Sequence, residues 1–563
     1  MGGCVADERN TKKSDKEKIS NIKDEGARID EAKRLIAQAA SADKKIAMPA
    51  APLVLPPKAA EIVGKEEVKS EPGGKVIESY FFDSEKIPVN IKIVQREDFV
   101  PHYEVLIPGL GEGTKIVLNT LKGELITTVK LDITDIIDPK KAPEVRRKFE
   151  DRAMQVLTKH FPTLSEETRG VLASYLIQNT LGLGELEAPM HDEKLEELVV
   201  NGSQEPAWVY HKHYGWCKTN LTLKTEEAIY DYASMIGRKI GRQINVLNPL
   251  MDAHLSTGDR VNATLFPVSS FGNTLTIRKF SRNPWTITNL VEINCLSPQV
   301  AALIWLCIQN ELSLLVSGGT GSGKTSFLNA LACLIPANQR IISIEDTREL
   351  TLPSFLHWVP MTTREPNAEG KGEVTMLDLL VNALRQRPDR IIVGEVRRQR
   401  EAEILFEAMH TGHSVYATIH ADNASETVSR LTNPPINIPK EVLDALAGIV
   451  VQFRHRKLGI RRTLEFAEVQ KGGDINTLYR WDIKNDRINE VGKMFTLANT
   501  LSLYAGMSMK EIDADIAEKV KIINWMVKKK YRGVNDVGSI VSSYYVDPSK
   551  VLGIINKGGD WKG

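Results

Sequence analysis

The chain has 563 residues, which is too long for one hydrophobic core, so two to four domains are expected. Its formal net charge of +1, with 26% charged residues, excludes a global bias toward nucleic acid or anionic membranes. The five cysteines form no C-x-x-C pair, which excludes a zinc ribbon and a disulfide framework and favours a reducing, cytoplasmic compartment.

The first part of the chain, residues 1–75, is polar and contains a Pro/Ala-rich stretch at Met48–Pro57. This composition predicts a flexible tail with an extended linker. Charged residues stand where a signal peptide needs an apolar region, so none is predicted. The start Met1–Cys4 lacks the Ser or Thr at position 6 that myristoylation requires. We therefore expect membrane contact only through partners.

Residues 76–283 are interpreted as an N-terminal domain with a β module, a helical part and a mixed α/β part. Period-two patterns and turn residues predict the module's strands, and apolar spacing predicts the helices. The predicted strands are 89–94, 103–107, 115–118, 207–211 and 274–278, and the predicted helices are 150–160, 166–181 and 226–240. Pro284 and Trp285 interrupt the pattern, and residues 284–290 are interpreted as a linker.

Residues 291–563 alternate strand and helix patterns up to about Gln470, which is typical of a doubly wound parallel sheet. Ser297 and Pro298 predict a helix start that leads into the apolar run Leu312–Val316. From about residue 471 a short β segment is followed by a helical C-terminal extension. The fold class is therefore α/β, with a P-loop domain after a mixed α/β N-terminal domain.

A P-loop follows that apolar run. The stretch Ser317–Thr325 matches G-x-x-x-x-G-K-[ST], and a helical pattern follows it, which is the context that this motif requires. Glycines let backbone N–H groups surround a phosphate, and the helix N-terminus favours its negative charge. Lys324 is expected to reach the β- and γ-phosphates of ATP or GTP, and the Thr325 hydroxyl to bind Mg²⁺. The predicted nucleotide-binding residues are Gly318, Gly319, Thr320, Gly321, Ser322, Gly323, Lys324, Thr325 and Ser326.

Acidic residues end two of the predicted strands. Glu345 and Asp346 follow Ile341–Ile344, and carboxylates at this end of a parallel strand face the ligand crevice. Either could orient a water molecule or reach Mg²⁺ through water, or merely cap the next turn. Glu395 ends a second strand, with Gly394 where P-loop proteins usually have an Asp bound to Mg²⁺ through water. This departure argues against small GTPases and for a particular group of ATPases.

Three histidines surround the next predicted strand, Val415–Ile419. His420 follows it and is expected at the active end of the sheet, where its imidazole could contact the γ-phosphate. A purely structural role is the alternative for His420, and carries equal weight for His413. Their spacing matches no metal-ligand pattern, so no zinc site is predicted.

Four stretches together resemble the type II/type IV secretion ATPase superfamily, in the same order along the chain: Gly318–Thr325, Ile344–Glu349, Arg387–Glu395 and Thr411–His420. The resemblance covers roughly residues 185–470. Within the superfamily, three further stretches are similar to archaellum motor ATPases and archaeal type IV pilus assembly ATPases: residues 198–220, 258–263 and 276–280. The absence of zinc-binding cysteines separates the chain from many bacterial type II secretion ATPases.

The resemblance implies a homohexameric ring of subunits, each with an N-terminal domain and a RecA-like ATPase domain, with ATP and Mg²⁺ between them. It implies that Glu345 polarises the attacking water, that Glu395 lies near the γ-phosphate and Mg²⁺, which it contacts through water, and that His420 contacts the γ-phosphate. Arg260 and Arg278 match positions where the family supplies arginines from the N-terminal domain, and we expect them to act across a subunit interface.

The function implied is a cytoplasmic motor, peripheral at the inner face of the cell membrane, that powers assembly or rotation of an archaellum or pilus. Its implied partners are a polytopic membrane platform protein and accessory cytoplasmic filament-assembly proteins, with no nucleic acid. The alternative is a type IV secretion ATPase that exports protein or DNA. A nucleic-acid translocase is disfavoured by the charge and by the lack of a basic–aromatic stripe, and a regulator without turnover is disfavoured by the full set of acids.

Overall fold

The computed structural model describes residues 74–107, 112–129, 141–239, 242–255, 258–280, 283–366 and 370–562. Almost all of the predicted tail, residues 1–75, lies outside them. The described residues form two nine-stranded sheets, each with its own set of buried apolar side chains.

The first sheet contains nine strands: β1 (Lys75–Ser84), β2 (Ile87–Gln95), β3 (Pro101–Leu106), β4 (Leu195–Val200), β5 (Trp208–His211), β6 (Gly215–Thr219), β7 (Leu250–His254), β8 (Arg260–Thr264) and β9 (Thr274–Arg278). Their order is β1-β2-β3-β6-β5-β4-β9-β8-β7. Neighbours are antiparallel except β3 and β6, which pair in parallel. The predicted β module is therefore the first edge of this larger sheet.

Helices pack against the apolar face of the first sheet: α1 (Glu112–Thr128), α2 (Ala142–His160), α3 (Glu166–Leu181), α4 (Glu187–His191) and α5 (Glu226–Lys239). The strand predicted at residues 115–118 is wrong, because these residues lie in α1. Leu118, Leu121 and Leu125 are buried at helical spacing, so α1 buries one face against α2 and α3, in the apolar core that these helices share with the sheet. A run of three adjacent apolar residues is too short for its pattern to distinguish a strand from a helix.

The second sheet contains the other nine strands: β10 (Leu314–Gly318), β11 (Arg340–Glu345), β12 (His357–Thr362), β13 (Arg390–Val393), β14 (Ser414–Ile419), β15 (Gly448–His455), β16 (Ile460–Val469), β17 (Ile475–Asp482) and β18 (Arg487–Glu490). Their order is β12-β11-β13-β14-β10-β15-β16-β17-β18. The first six in this order are parallel, and the last three continue the sheet in antiparallel pairs. The α/β class with a RecA-like parallel sheet is confirmed, although the parallel part ends at β15, before Gln470.

The helices of this half are α6 (Ile287–Glu292), α7 (Pro298–Gln309), α8 (Lys324–Ala332), α9 (Met376–Leu384), α10 (Gln399–His410), α11 (Ala424–Thr432), α12 (Thr496–Ala505), α13 (Met509–Lys528), α14 (Val534–Val546) and α15 (Pro548–Asn556). Helix α7 begins as the sequence predicts, with the Ser297 hydroxyl accepting a hydrogen bond from the Val300 N–H. Its residues 300–308 are all buried. A helix that is apolar all round must be covered on every side.

The C-terminal helices provide that cover. Helix α13 packs along α7, and Ile522, Trp525 and Met526 join the apolar core beneath the sheet. The Trp305 indole N–H donates to the Tyr545 hydroxyl at 2.8 Å, and that hydroxyl donates to the Leu334 carbonyl at 2.7 Å. The C-terminal extension therefore shares its core with the parallel sheet.

The two sheets are joined by the segment between β9 and α6. The predicted linker at residues 284–290 belongs to this segment only up to residue 286, because Ile287 begins α6 and its side chain is buried in the core of the second half. The proposed domain boundaries themselves stay predictions. Within the described residues, no helix is both long and apolar enough to cross a membrane.

Candidate active site

The site is built where the parallel strands end. Strands β10, β11, β13 and β14 are neighbours in the second sheet and run in the same direction, so their carboxyl ends meet at one edge. The P-loop follows β10, Glu345 ends β11, Glu395 follows β13 and His420 follows β14. Sheet order therefore brings together residues that are up to about 100 positions apart in the chain, as for Thr320 and His420.

The backbone of the P-loop requires its glycines. A Cβ at Gly318 would lie 2.3 Å from the Gln452 carbonyl oxygen, which no side chain tolerates. Gly323 has a φ of +94° and caps the first turn of α8, a left-handed conformation that glycine adopts without strain. Helix α8 then begins at Lys324, so its free N–H groups face the loop. This is the arrangement that binds a phosphate.

Lys324 is folded over the P-loop. Its ammonium donates to the Gly318 carbonyl at 2.8 Å and to the Gly319 carbonyl at 3.1 Å. Burial lowers the pKa of Lys324, while the charges of Glu395, Asp422 and Glu349 act in the opposite direction. The ammonium therefore lies close to the acids at the sheet edge and is held by carbonyl contacts that a negatively charged phosphate can replace.

Glu345 is the buried acid of the site, and its residue is 2% exposed. Its Oε1 accepts hydrogen bonds from the N–H groups of Glu349 at 2.9 Å and Leu350 at 3.1 Å. Within the described residues, the buried Oε2 has no hydrogen-bond partner. Burial raises the pKa of Glu345 to about 7. A carboxylate with a free oxygen and a pKa near neutrality is suited to accept a proton from water.

Gly394 explains the departure from the common P-loop pattern. A Cβ at this position would lie 3.5 Å from the Glu345 Cα and Cγ. An aspartate there would place a second carboxylate beside the buried Glu345, and two like charges in a desolvated site oppose each other's ionisation. Gly394 keeps the space beside Glu345 free of a second acid.

Glu395 and Asp346 share one arginine. Arg397 donates to Glu395 Oε2 from Nε at 2.8 Å and from Nη2 at 2.6 Å, and its Nη1 lies 2.6 Å from Asp346 Oδ2. The other Asp346 oxygen accepts from the Thr363 hydroxyl at 3.3 Å. Glu345 and Asp346 thus have different surroundings. Glu345 is buried with one free oxygen, whereas Asp346 is half-exposed and ion-paired.

His420 lies against the P-loop, with its Nε2 3.2 Å from the Thr320 hydroxyl. Burial lowers its pKa, and the nearby charge of Lys324 lowers it further. The imidazole is therefore neutral near pH 7 and can exchange hydrogen bonds with the loop or with a ligand. His413 lies at the opposite end of β14, where its Nδ1 is 3.2 Å from the Thr411 hydroxyl, so it does not join the site.

The two arginines of the first sheet have different environments. Arg278 Nη2 lies 3.5 Å from Oε1 of Glu349, in the loop after Glu345. Arg260 is paired with Asp252 on the neighbouring strand, and this pair raises the pKa of Arg260. Arg278 therefore contacts the P-loop half of its own chain, while Arg260 is engaged within the first sheet. Action of either residue across a subunit interface stays a prediction.

Sequence reasoning missed three arginines at the site. Arg397 could have been suspected from its position two residues after Glu395. Arg461, at the start of β16, donates from Nε to the Gly321 carbonyl at 3.0 Å and lies 3.9 Å from Glu196 of the first sheet. Arg454, near the end of β15, contacts the Tyr210 hydroxyl. These two link the P-loop region to the first sheet, and no local motif predicts them.

The residues present fit a magnesium ion. Thr325 and Glu395 offer oxygen ligands, which Mg²⁺ prefers, and the guanidinium on Glu395 and Asp346 shows that the acid pair attracts a cation. The described residues contain no cluster of three or more metal-ligating side chains. Mg²⁺ commonly uses one or two protein ligands and completes its shell with water and substrate phosphates.

Comparison with known proteins gives consistent matches. Residues 250–478 match the family model described as "Type II/IV secretion system protein". The uncharacterized protein MJ0900 of Methanocaldococcus jannaschii is 33% identical over 394 residues, 68% of this chain and 71% of that protein. A putative conjugal transfer protein of Mycobacterium tuberculosis is 32% identical over 297 residues, 51% of this chain and 81% of that protein.

Among solved structures, the ATPase DotB of Legionella pneumophila matches with a TM-score of 0.39 and 18% sequence identity. The match covers 63% of this chain and 93% of that one.

Proposed function

The chain belongs to the type II/IV secretion ATPase superfamily, its archaeal relatives fit the archaeal branch, and from this premise we propose that it is a Mg²⁺-dependent ATPase motor. The reaction is hydrolysis of ATP to ADP and phosphate at the P-loop of residues 318–326. The observation that carries the proposal is the meeting of this loop with Glu345, Glu395 and His420 at one edge of the second sheet.

Each residue has a distinct role in the proposed reaction. Lys324 leaves the Gly318 and Gly319 carbonyls and pairs with the β- and γ-phosphates. Glu345 accepts a proton from water at its free Oε2, and the water oxygen forms a bond to the γ-phosphorus while the bond to the β–γ bridging oxygen breaks. His420 hydrogen-bonds the γ-phosphate from beside Thr320.

Thr325 and Glu395 would hold Mg²⁺, Glu395 through water. When bound, the ion neutralises charge on the phosphate oxygens as the bond breaks. Thr325 is in the first turn of α8, and Glu395 lies two residues after the end of β13, so both residues are held at the same edge of the second sheet.

Contacts between the two sheets support a motor that moves one half against the other. Arg278 meets Glu349, Arg461 reaches both Gly321 and Glu196, and the His254 imidazole meets the Thr347 hydroxyl. These contacts surround the P-loop, so phosphate binding and release there change the forces that hold the first sheet. Hydrolysis would close and open the cleft and move the N-terminal half as a lever.

The finer proposal is that six copies form a ring that drives assembly, with or without rotation, of a pilus-like filament such as an archaellum or pilus. The ring would dock on a polytopic membrane platform protein with accessory cytoplasmic assembly proteins, at the inner face of the cell membrane. Similarity to proteins of an archaeon supports this choice. Export of protein or DNA is the second candidate, because relatives include a putative conjugal transfer protein and the type IV secretion system protein PtlH of Bordetella pertussis.

Stimulation of ATP hydrolysis distinguishes these functions. Phosphate release is measured for the full chain alone, with liposomes carrying a platform protein from the same genome, and with single-stranded DNA. We expect liposomes with the platform protein to stimulate turnover and DNA to have no effect. Empty liposomes and the Lys324→Ala variant are the controls. Stimulation by DNA alone would contradict the filament motor and favour a nucleic-acid exporter.

A further inference from the structure

One guanidinium bridges two acids at the edge of the proposed metal site. Arg397 directs two N–H groups to Glu395 Oε2 and a third to Asp346 Oδ2, with nitrogen–oxygen distances of 2.6 to 2.8 Å. The planar fork of arginine suits this double contact, whereas a lysine ammonium would act only as a point charge. The two acids come from different strand ends, β13 and β11, and Arg397 ties them together.

The segment that carries Arg397 is fixed while its guanidinium remains accessible. The Glu401 carboxylate accepts hydrogen bonds from the backbone N–H groups of Arg397 and Arg398, both at 3.1 Å, and so caps the N-terminus of α10. The Arg397 side chain is 60% exposed, compared with 22% for the Glu395 side chain. The guanidinium can therefore move away from the acids without disturbing the fold, because Glu401 holds the Arg397 backbone independently of the side chain.

We propose that Arg397 is a positioning residue that stands in for the metal ion before Mg²⁺·ATP binds. Paired acids near a buried Glu345 repel one another and repel a polyanionic nucleotide unless a cation neutralises them. Arg397 supplies that charge, holds both carboxylates in place, and releases Glu395 when a metal ion arrives with the nucleotide. The inference rests on the proposed function, because it assigns the acids to a metal–nucleotide site.

The proposal predicts that Arg397 contributes more to nucleotide binding without Mg²⁺ than with it. In the absence of Mg²⁺, Arg397 is the cation that makes the acid pair compatible with nucleotide phosphates. In its presence, the metal ion replaces that charge, so the arginine matters less. Loss of Arg397 should thus weaken metal-free nucleotide binding selectively, which a purely structural contact would not do.

The experiment measures the dissociation constant of ATPγS by calorimetry on the full chain, once with excess EDTA and once with excess Mg²⁺. We expect Arg397→Ala to weaken binding in EDTA by about three- to fivefold, the size of a partly exposed charge interaction, and to change binding in Mg²⁺ by less than about twofold. Arg397→Lys keeps the charge and should recover most of the loss in EDTA.

Two controls test whether the effect of Arg397→Ala comes from its contacts with the acid pair. Arg400→Ala removes the same charge from the same segment, but this arginine pairs with Glu403 and its side chain is 80% exposed, so we expect no change in either buffer. In a Glu395→Gln background one of the two acids that Arg397 neutralises is gone, so Arg397→Ala should have a smaller effect on binding in EDTA than it has in the wild-type background. Thermal melting without nucleotide checks that each variant is folded.

Equal weakening with and without Mg²⁺, or an undiminished effect in the Glu395→Gln background, would overturn the inference. The same holds if Arg400→Ala weakens metal-free binding as much as Arg397→Ala does. These results leave the proposed function intact when the wild type binds and hydrolyses ATP. A wild-type protein that binds ATPγS in neither buffer would overturn the proposed function and this inference with it.

Discussion

Arg278 at the end of β9 lies 3.5 Å from Glu349, in the loop that follows the buried Glu345. This ion pair joins the two sheets within one chain, next to the P-loop. Arg260, on strand β8 of the same sheet, is instead paired with Asp252. The two arginines implied by the family resemblance therefore differ: Arg278 contacts the P-loop half of its own chain, whereas Arg260 is paired within the first sheet.

Mixing variants tests this separation. Lys324→Ala, Arg278→Ala and Arg260→Ala are each expected to be inactive alone. Mixed rings of Lys324→Ala and Arg260→Ala should regain phosphate release, because an interface with Lys324 on one side and Arg260 on the other can form. Mixed rings of Lys324→Ala and Arg278→Ala should stay inactive, because Arg278 serves its own chain. Rescue in the Arg278 mixture, with mixed assembly verified, would contradict the assignment within one chain.

The ionisation of Glu345 predicts a pH dependence. Burial raises its pKa to about 7, and it must be ionised to accept a proton from water, so turnover should rise as pH increases from 6 to 8. Glu345→Gln should lower turnover by at least about 10²-fold, the low end of general base catalysis, while ATP still binds. Phosphate release across this pH range gives the profile.

As pH rises, protein stability should change in the opposite direction to turnover. The folded state holds the Glu345 proton more tightly than the unfolded state, so this residue's contribution to stability falls as pH rises toward 7. Glu345→Gln removes that loss and should raise the melting temperature more at pH 8 than at pH 5. A flat activity profile would contradict proton acceptance by Glu345. Full activity in Glu345→Gln with an inactive Asp346→Asn would show that Asp346 handles the water.

Arg461 should position the P-loop. Its Nε–H group donates to the Gly321 carbonyl, and a charged hydrogen bond of this kind contributes about 1.5 to 3 kcal/mol. Arg461→Ala should weaken ATP binding by about tenfold, with a smaller change in maximal turnover. Arg456→Ala, an exposed position in the turn of the same β15–β16 hairpin, is the matched control. Unchanged ATP binding in Arg461→Ala would exclude this role.

Local sequence predicts the site where a motif and its flanking elements are contiguous. The apolar run before Ser317 and the helical pattern after Lys324 predict β10 and α8 to within two residues at each end. The apolar residues before Glu345, Glu395 and His420 likewise predict strands that end at the proposed site. Parallel sheet geometry then brings these strand ends to one edge, so the pattern alone places the P-loop, Glu345, Glu395 and His420 at the same side of the sheet.

Side-chain pairing across the site could not be predicted in this way. Arg397 and Asp346 are 51 residues apart, and Arg461 and Gly321 are 140 residues apart, so no local spacing encodes either contact. The raised pKa of Glu345 depends on burial by the complete fold. Helix α1 shows that a local pattern can also be too short to predict an element. The apolar run Ile116–Leu118 is compatible with a strand or a helix, and only the burial of Leu121 and Leu125 shows the helical period.

The most direct test of the account is phosphate release by the purified full chain with ATP, compared between wild type and Lys324→Ala, with Mg²⁺ and with EDTA. Lys324 is folded onto the P-loop carbonyls and is the only residue to which the account gives direct contact with both the β- and γ-phosphates. The account predicts Mg²⁺-dependent turnover in the wild type and none in Lys324→Ala under either condition. Equal turnover in the two proteins, with both shown to be folded, would contradict it.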